Sequence, residues 1–173
     1  MPTLRSRILY VFVILNHARR QALHIAVTER PTMTWTVQQL REATPFDQQP
    51  RYLLHDNDGI FGQEVRSFLE SSGINNICIA RQAPWQNSYV ERFIGTLRRE
   101  LLDHVIVLNE RHLCRLLDEF ATHYYHPARA HQGLGGQTPI QSHHLASPLD
   151  ATVPLLGTPV CGGLHHRYLV SGT

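Results

Sequence analysis

The fold of this chain is decided by two stretches of sequence, which read Arg51-Tyr52-Leu53-Leu54-His55-Asp56-Asn57-Asp58-Gly59 and Ala83-Pro84-Trp85-Gln86-Asn87-Ser88-Tyr89-Val90-Glu91-Arg92-Phe93. In the first, a short apolar run ends at Asp56; in the second, Glu91 lies near the start of an amphipathic helix. Thirty-four residues separate these two carboxylates, which is room for one more strand and one more helix. The two side chains can therefore converge on one pocket for divalent metal ions, a kind of site that suits phosphodiester chemistry.

The residues before these stretches have strand patterns. Residues 8–15 form a continuous apolar run rich in β-branched side chains, typical of a strand that is buried on both faces. Residues 22–28 predict a second strand, paired antiparallel with the first across a turn at residues 18–21. A helix is expected to open at Pro31 and to continue to about Ala43.

The residues that follow alternate between strand and helix patterns. We predict strands at 52–54 and 74–80, and helices at 63–72, at 88–104 and from 110 onward. Asn87 or Ser88 is expected to cap the long helix. The apolar stripe of that helix consists of Val90, Phe93, Ile94, Leu97 and Leu101. The alternation indicates an α/β domain with a mixed sheet.

Composition excludes several classes of protein. The chain has 173 residues and 42% hydrophobic side chains, enough for one domain with a real core and too many for a disordered segment. Its eight-residue apolar run is too short to span a bilayer. Three widely spaced cysteines give no disulfide or metal framework, which favours a reducing cytoplasm. We expect a domain at 1–140 and a mostly irregular tail at 141–173, in which 142–160 are typical of a linker.

Four blocks of sequence resemble the integrase core of the DDE superfamily, which is the catalytic domain of retroviral integrases and of many bacterial insertion-sequence transposases. The blocks are residues 8–28, His55-Asp56-Asn57-Asp58-Gly59-Ile60-Phe61, residues 83–99, and Tyr124-Tyr125-His126-Pro127-Ala128-Arg129-Ala130-His131-Gln132-Gly133-Leu134 with Thr138-Pro139. The resemblance implies a ribonuclease-H-like mixed sheet flanked by helices. It also implies DNA integration and transposition by metal-dependent phosphodiester cleavage and strand transfer.

The resemblance implies roles for particular residues. Asp56 and Glu91 match catalytic carboxylates, which would hold Mg²⁺ or Mn²⁺. The residues expected near DNA are Asn87, Arg92, Arg98, Arg99, Arg129 and His131. The implied partners are DNA and, as an oligomer, either a second copy or a full-length transposase, in the bacterial cytoplasm and not in a membrane.

The chain departs from the family pattern in two places. Asp58 stands where the family usually has glycine, and it leaves only thirty-two residues before Glu91, so Asp56 fits the ligand position better. The family's first catalytic aspartate lies on a central strand that should precede Ile8, and residues 1–7 contain no acidic side chain. Asn16 matches a different family position, at the end of the second strand. We therefore interpret the chain as truncated at its front, through either a wrong start codon or a decayed gene.

Three interpretations of the function of this chain are then open. In the first, the chain is an integrase core that gives little or no strand transfer. The second is a remnant that still binds DNA or a transposase without catalysis, and the third is another ribonuclease-H-like metal nuclease. The arginine-histidine block after the last helix argues against the third. A missing central strand would also leave the edge of residues 8–15 open, which predicts poor solubility or self-association.

Several side chains allow two interpretations. Arg92, Arg98 and Arg99 could contact phosphates or form an ordinary charged face with Glu100 and Asp103. Arg129 and His131 could contact DNA or pack against the last helix, and the sequence does not separate these. For Trp85 and Tyr89 we favour closing the core over stacking on a base. The pairs His143-His144 and His165-His166 suggest zinc only weakly, because no cysteine spacing accompanies them.

Overall fold

The computed structural model describes residues 7–81, 83–140 and 155–170. The strands are β1 (Tyr10–Asn16), β2 (Gln21–Thr28), β3 (Tyr52–His55), β4 (Asn75–Cys78), β5 (Leu155–Val160) and β6 (His165–Val170). The helices are α1 (Met33–Ala43), α2 (Gln63–Ser71), α3 (Ser88–Glu100) and α4 (Glu110–Glu119), and α4 continues into a π-helical segment, Phe120–Tyr125. None of these helices is both long and apolar enough to cross a bilayer.

The strands pair as three separate two-stranded sheets in the described part of the chain. β1 and β2 form an antiparallel hairpin in which Tyr10 lies opposite Thr28, as the sequence predicted. β3 and β4 are parallel, with His55 opposite Cys78. Residues of β1 and of β3 line one cavity of about 850 Å³. The predicted mixed sheet is therefore interrupted at this cavity.

Two cores lie on opposite faces of β1. Val11, Val13 and Leu15 pack against a core built from α3, α4 and β2. Phe12 and Ile14 pack against a second core, built from α1 and α2. Because side chains alternate between the faces of a strand, β1 lies between two helical layers. All five side chains are nevertheless only half-buried, so the strand is less covered than its apolar run predicted.

The helix starts differ in how they are capped, and α1 begins at Met33 rather than at Pro31 as expected. The Thr32 hydroxyl accepts a hydrogen bond from the Trp35 amide (3.2 Å) and caps α1. The Asn109 side chain accepts one from the His112 amide (2.9 Å) and caps α4. Asn87 occupies the cap position of α3, but its side chain makes no capping bond, contrary to expectation.

Several boundaries and the tail differ from the predictions. β4 ends at Cys78 rather than residue 80, and α3 ends at Glu100, followed by a single 3₁₀ turn, Leu102–His104. Residues 155–170, expected to be mostly irregular, form the β5–β6 hairpin. The proposed linker at 142–160 is therefore wrong for residues 155–160, and its remaining residues lie outside the described chain.

The β5–β6 hairpin is docked on the domain rather than loose. Val160 and Cys161 are buried in the core beside α4. His165 Nε2 lies 2.6 Å from the backbone oxygen of Glu100, and its ring stacks on Tyr124 with ring centres 3.8 Å apart. The hairpin thus covers the end of α3 and the π-helical segment.

Candidate functional site

Asp56 lies directly after β3, and its position is set by His55. One nitrogen of the His55 ring lies 2.5 Å from the Asp56 backbone oxygen, and the other lies 2.6 Å from Asn76 Oδ1. The ring also stacks on Phe61, with ring centres 4.3 Å apart. His55 is buried and is contacted on three sides, so it fixes the turn that carries Asp56. The exposed carboxylate of Asp56 lines the cavity.

Asp58 has a structural role in the turn after β3. Its Oδ1 accepts a hydrogen bond from the Ile60 amide (3.0 Å), which caps the 3₁₀ turn Gly59–Phe61. The Asp58 amide in turn donates to Asp56 Oδ1 (3.3 Å). Asp58 is therefore a turn residue, the role expected if Asp56 holds the ligand position.

The start of α3 brings Asn87 to the same cavity as Asp56. Asn87, Val90 and Ile94 line that cavity, whereas Glu91 is exposed and does not. At about 100° per residue, Glu91 is rotated only about 40° from Asn87, so the two side chains are neighbours on one helix face. Glu91 is therefore one helical turn after Asn87 and is not among the residues that line the cavity.

The donor atoms at this cavity suit a hard cation. Carboxylate oxygens are the ligands that Mg²⁺ and Mn²⁺ prefer, and Asn87 Oδ1 is buried without a hydrogen-bond partner among the described residues. In the same part of the chain, no group of three or more histidine, cysteine, aspartate or glutamate side chains is close enough to hold an ion. The assignment of Asp56 and Glu91 as ligands stays a prediction from the sequence.

An aromatic and cationic cluster lies beside the site, and the sequence did not point to it. The Arg20 guanidinium lies 3.5 Å above the centre of the Tyr89 ring, and His17 meets that ring edge-on at 5.0 Å. Arg20 adopts a positive φ of 59° in the turn between β1 and β2. The sequence indicated only a turn at residues 18–21, and a turn pattern does not show which helix the turn will contact.

Trp85 and Tyr89 differ in their surroundings, although we favoured the core for both. Trp85 is 71% exposed, so that interpretation is wrong for it. Tyr89 is 37% exposed and is covered by the Arg20 guanidinium and the edge of the His17 ring rather than by the core. Trp85 thus presents a large aromatic surface to solvent just before α3, where a nucleobase could stack.

The arginines predicted to contact DNA fall into two groups. Arg92, Arg98 and Arg99 are exposed along α3. Arg129 instead forms a two-pronged ion pair with Glu100, with nitrogen–oxygen distances of 2.6 and 2.8 Å. Burial alone would raise the pKa of Glu100, but the hydrogen bond and charge of Arg129 hold it below its ordinary value. Arg129 therefore pairs with the end of α3 and not with the last helix, and its contact with DNA stays a prediction.

His131 is enclosed next to this ion pair. Its ring meets Tyr125 edge-on at 4.9 Å, and its Nε2 is buried without a hydrogen-bond partner among the described residues. Burial, reinforced by the charge of Arg129, lowers the pKa of His131 to about 4. A contact with DNA remains a prediction for this residue.

The residues around His131 fold back on the β1–β2 turn. His126 Nε2 accepts a hydrogen bond from the Ala22 amide (3.1 Å), and the Tyr125 hydroxyl donates one to the Arg20 oxygen (3.0 Å). The Arg19 guanidinium donates to the backbone oxygens of Thr138 and Pro139. This block of sequence therefore holds the turn that presents Arg20 to Tyr89.

The histidine pairs contribute little to a metal site. His165 is engaged with Glu100 and Tyr124, as described above. His166 is exposed. The pair at residues 143 and 144 lies outside the described chain.

Stability should fall as the solution is acidified below neutrality. Burial lowers the pKa values of His17, His126 and His131 below 6.5, so the unfolded chain binds protons more readily than the folded one. The stabilisation is complete above pH 6.5 and is lost between pH 6.5 and about 4, the pKa of His131. We expect a loss of about 1–2 kcal/mol after allowing for solvent screening.

Urea denaturation at a series of pH values measures this effect. His131→Gln should flatten the slope, whereas His123→Gln, at an exposed position of the π-helical segment, should leave it unchanged. An equal slope in all three proteins would assign the pH dependence to other groups.

Comparison with known protein families gives a match in the middle of the chain. The family described as the integrase core domain matches residues 72–139, the region from the end of α2 to the block after the π-helical segment. Residues 72–139 are therefore similar to an integrase core domain. The match includes α3 with Asn87 and Glu91, but not Asp56.

A curated relative and a solved structure extend the likeness to the rest of the chain. The insertion element IS476 uncharacterized 39.2 kDa protein of Xanthomonas euvesicatoria is 27% identical over 137 residues, which are 79% of this chain and 39% of that protein. The chain thus spans less than half of this relative. A chain in the simian T-cell lymphotropic virus intasome in complex with PP2A regulatory subunit B56 gamma aligns with a TM-score of 0.57 and 19% identity, over 95% of this chain and 60% of that one. The ribonuclease-H-like fold of integrase cores is therefore confirmed.

Proposed function

We propose that this protein is an integrase-type catalytic core that acts on DNA in a bacterial cytoplasm, with Asp56 and Glu91 as its metal-binding carboxylates. The observation that carries the proposal is the shared cavity: Asp56 lines it from β3, and Asn87 lines it from the start of α3, within the region that matches the integrase core domain. Glu91 follows Asn87 by one helical turn on α3. A second copy or a full-length transposase would be its protein partner.

A divalent ion bound there would polarise a phosphoryl oxygen and activate the attacking hydroxyl. The residues of this chain would position the reactants. His55 fixes the turn that carries Asp56, and the Arg20–Tyr89 contact joins the β1–β2 turn to α3. The exposed Trp85 would stack on a base next to the reacting phosphate.

We further propose that the activity of the chain alone is low. Asp58 lines the same cavity, but its Oδ1 caps the turn, so we assign Asp56 and Glu91 as the carboxylates that would hold an ion. Mg²⁺ gives up its water ligands reluctantly, so two carboxylates hold it weakly. A polypeptide that binds DNA without joining it, the second reading from the sequence, is the expected behaviour of such a site.

DNA binding by the exposed arginines of α3 can be tested first. Arg92→Gln should weaken binding to duplex DNA about two- to fivefold, nearly independently of sequence, and reduce the slope of log affinity against log salt by about 1. Fluorescence anisotropy over a range of salt concentrations measures both quantities. Arg111→Gln, at an exposed position on α4, is the matched control. Equal losses in the two variants would mean that α3 is not the face that binds DNA.

A further inference from the structure

We propose that Arg20, stacked on Tyr89, binds a backbone phosphate of DNA beside the candidate metal site. This inference deepens the proposed function and rests on it, because the phosphate belongs to the strand whose reacting group would lie at Asp56. The stacked-arginine site consists of Arg20 and Tyr89, neither of which lines the cavity of Asp56 and Asn87. The phosphate site is therefore separate from the proposed metal ligands.

The Tyr89 ring orients the Arg20 side chain and leaves its donors free. The guanidinium carbon lies 3.5 Å from the ring centre, so the ring contacts the face of the guanidinium and not its N–H edge. In the part of the chain that the structure describes, that edge donates no hydrogen bond, and the ion pairs join Arg7 to Glu29 and Arg129 to Glu100. The N–H fork of Arg20 matches the oxygens of a phosphate.

The backbone that carries Arg20 is held in an unusual conformation. Arg20 has a φ of 59°, in the left-handed region that arginine rarely adopts and that recurs at functional sites. The Tyr125 hydroxyl donates to the Arg20 oxygen (3.0 Å), and the Arg19 guanidinium donates to the oxygens of Thr138 and Pro139. Because a fixed side chain loses less freedom on binding, these contacts favour a complex with a ligand.

The surroundings of Arg20 favour an anion. Arg20 is half-buried, and a charge that is partly removed from water is stabilised by an opposite charge. Burial and the charge of Arg20 lower the pKa of the neighbouring His17, and no carboxylate opposes that shift. Arg19 adds a second positive charge, since its hydrogen-bond partners are neutral backbone oxygens.

His17 connects the stacked-arginine site with the cavity. Its ring meets the Tyr89 ring edge-on at 5.0 Å, and His17 also lines the cavity that Asp56 and Asn87 line. Arg20 is therefore separated from the cavity by the thickness of one side chain. Phosphates follow one another every about 3.4 Å of helix axis along a DNA strand. A strand with one phosphate in the cavity can therefore place a nearby phosphate on Arg20.

The first test compares Arg20 variants in binding to a fluorescent duplex, measured by anisotropy over a range of salt concentrations. Arg20→Gln should weaken binding about five- to tenfold and reduce the slope of log affinity against log salt by about 1. Arg20→Lys keeps the charge without the planar fork and should recover only part of the loss. Tyr89→Leu, which removes the stacked ring, should weaken binding about threefold. Arg111→Gln, on α4, is the control that should bind normally.

A second variant leaves Arg20 and Tyr89 unchanged, so it tests the proposal even if Arg20→Gln does not fold. A Cβ atom at Gly133 would lie 3.9 Å from Arg20 Nη2, so the carboxylate of Gly133→Asp can pair with the guanidinium and displace a phosphate. Gly133→Asp should weaken duplex binding at least about fivefold, whereas the uncharged Gly133→Asn should have little effect. Added to Arg20→Gln, the Gly133→Asp change should cost little more, because both act through one contact.

Nuclear magnetic resonance separates this proposal from the proposed function. The Arg20 Nε–H signal, assigned by its absence in Arg20→Gln, should shift on addition of duplex DNA and of inorganic pyrophosphate, without metal ions. If Arg92→Gln weakens duplex binding but Arg20→Gln does not, and the signal is unmoved, only the stacked-arginine site is refuted. If the wild-type protein binds no duplex at all, the proposed function fails as well.

Two further results would overturn the assignment to DNA. A signal that shifts with pyrophosphate and not with duplex would indicate a site for free phosphate. Asp150 is the acidic residue of segment 141–154, and Asp150→Asn should leave duplex affinity unchanged. Markedly tighter binding by Asp150→Asn that Arg20→Gln abolishes would show that this carboxylate is the partner of Arg20.

Discussion

Phe120→Ala is expected to lower the free energy of unfolding by about 3–5 kcal/mol, the range for removing a fully buried phenylalanine. Phe120 is completely buried where α4 passes into the π-helical segment. Its ring contacts Tyr124, Tyr125 and His165, with ring centres 5.4 to 6.1 Å apart. Truncation would leave a cavity between the helical core and the β5–β6 hairpin, which are both too constrained to collapse into it.

Urea denaturation followed by far-ultraviolet circular dichroism measures this loss. The control is Phe46→Ala, because Phe46 is 93% exposed, and its truncation should change stability by less than about 0.5 kcal/mol. A loss at Phe120 as small as that at Phe46 would mean that the hairpin and α4 do not share one core.

Strand transfer by the chain alone is expected to be no higher than that of its own Glu91→Gln variant, in Mg²⁺ or in Mn²⁺. The reason is the proposed donor set, since Asp56 and Glu91 would supply too few protein oxygens to hold two hard ions against water. Compared with a complete integrase core on the same DNA ends, the deficit should exceed about a hundredfold. Joined product is measured on a sequencing gel with labelled ends.

A control must distinguish low activity caused by an incomplete site from low activity caused by an unfolded protein. The same preparation should bind duplex DNA with the salt dependence expected for arginine–phosphate contacts. Robust joining that Glu91→Gln abolishes would refute the proposal of low activity and would confirm Glu91 as a catalytic residue. Joining that persists in Glu91→Gln would instead indicate a contaminating nuclease or recombinase.

The two sides of the candidate site were predictable to different degrees. The turn at Asp56 follows from an apolar run that ends in Asp-Asn-Asp-Gly, and the structure shows Asp58 as the capping residue of that turn. The prediction that the Asn87 side chain caps α3 was wrong, because Asn87 lines the cavity and makes no capping bond to the helix amides. The place of Arg20 beside the site was not predictable, since its contact with Tyr89 joins residues far apart in sequence.

Prediction of the tail failed for a local reason. Residues 155–170 contain proline and small side chains, which led us to expect irregular backbone. The turn Cys161-Gly162-Gly163-Leu164, however, joins β5 to β6, and both glycines have positive φ values, which glycine tolerates without strain. Two glycines between strand-forming residues are a hairpin signal that the composition of the segment obscured.

By itself, the sequence determined the β1–β2 hairpin and the order of helices and strands from β1 to α4, because these depend on neighbours within a few residues. It also determined the integrase resemblance through short motifs. Only the tertiary structure decided that Trp85 is exposed, that Arg129 pairs with Glu100, and that β1 and β3 face one cavity. Those outcomes depend on contacts between distant residues, whose burial and charge compensation arise only when the helices pack against the strands.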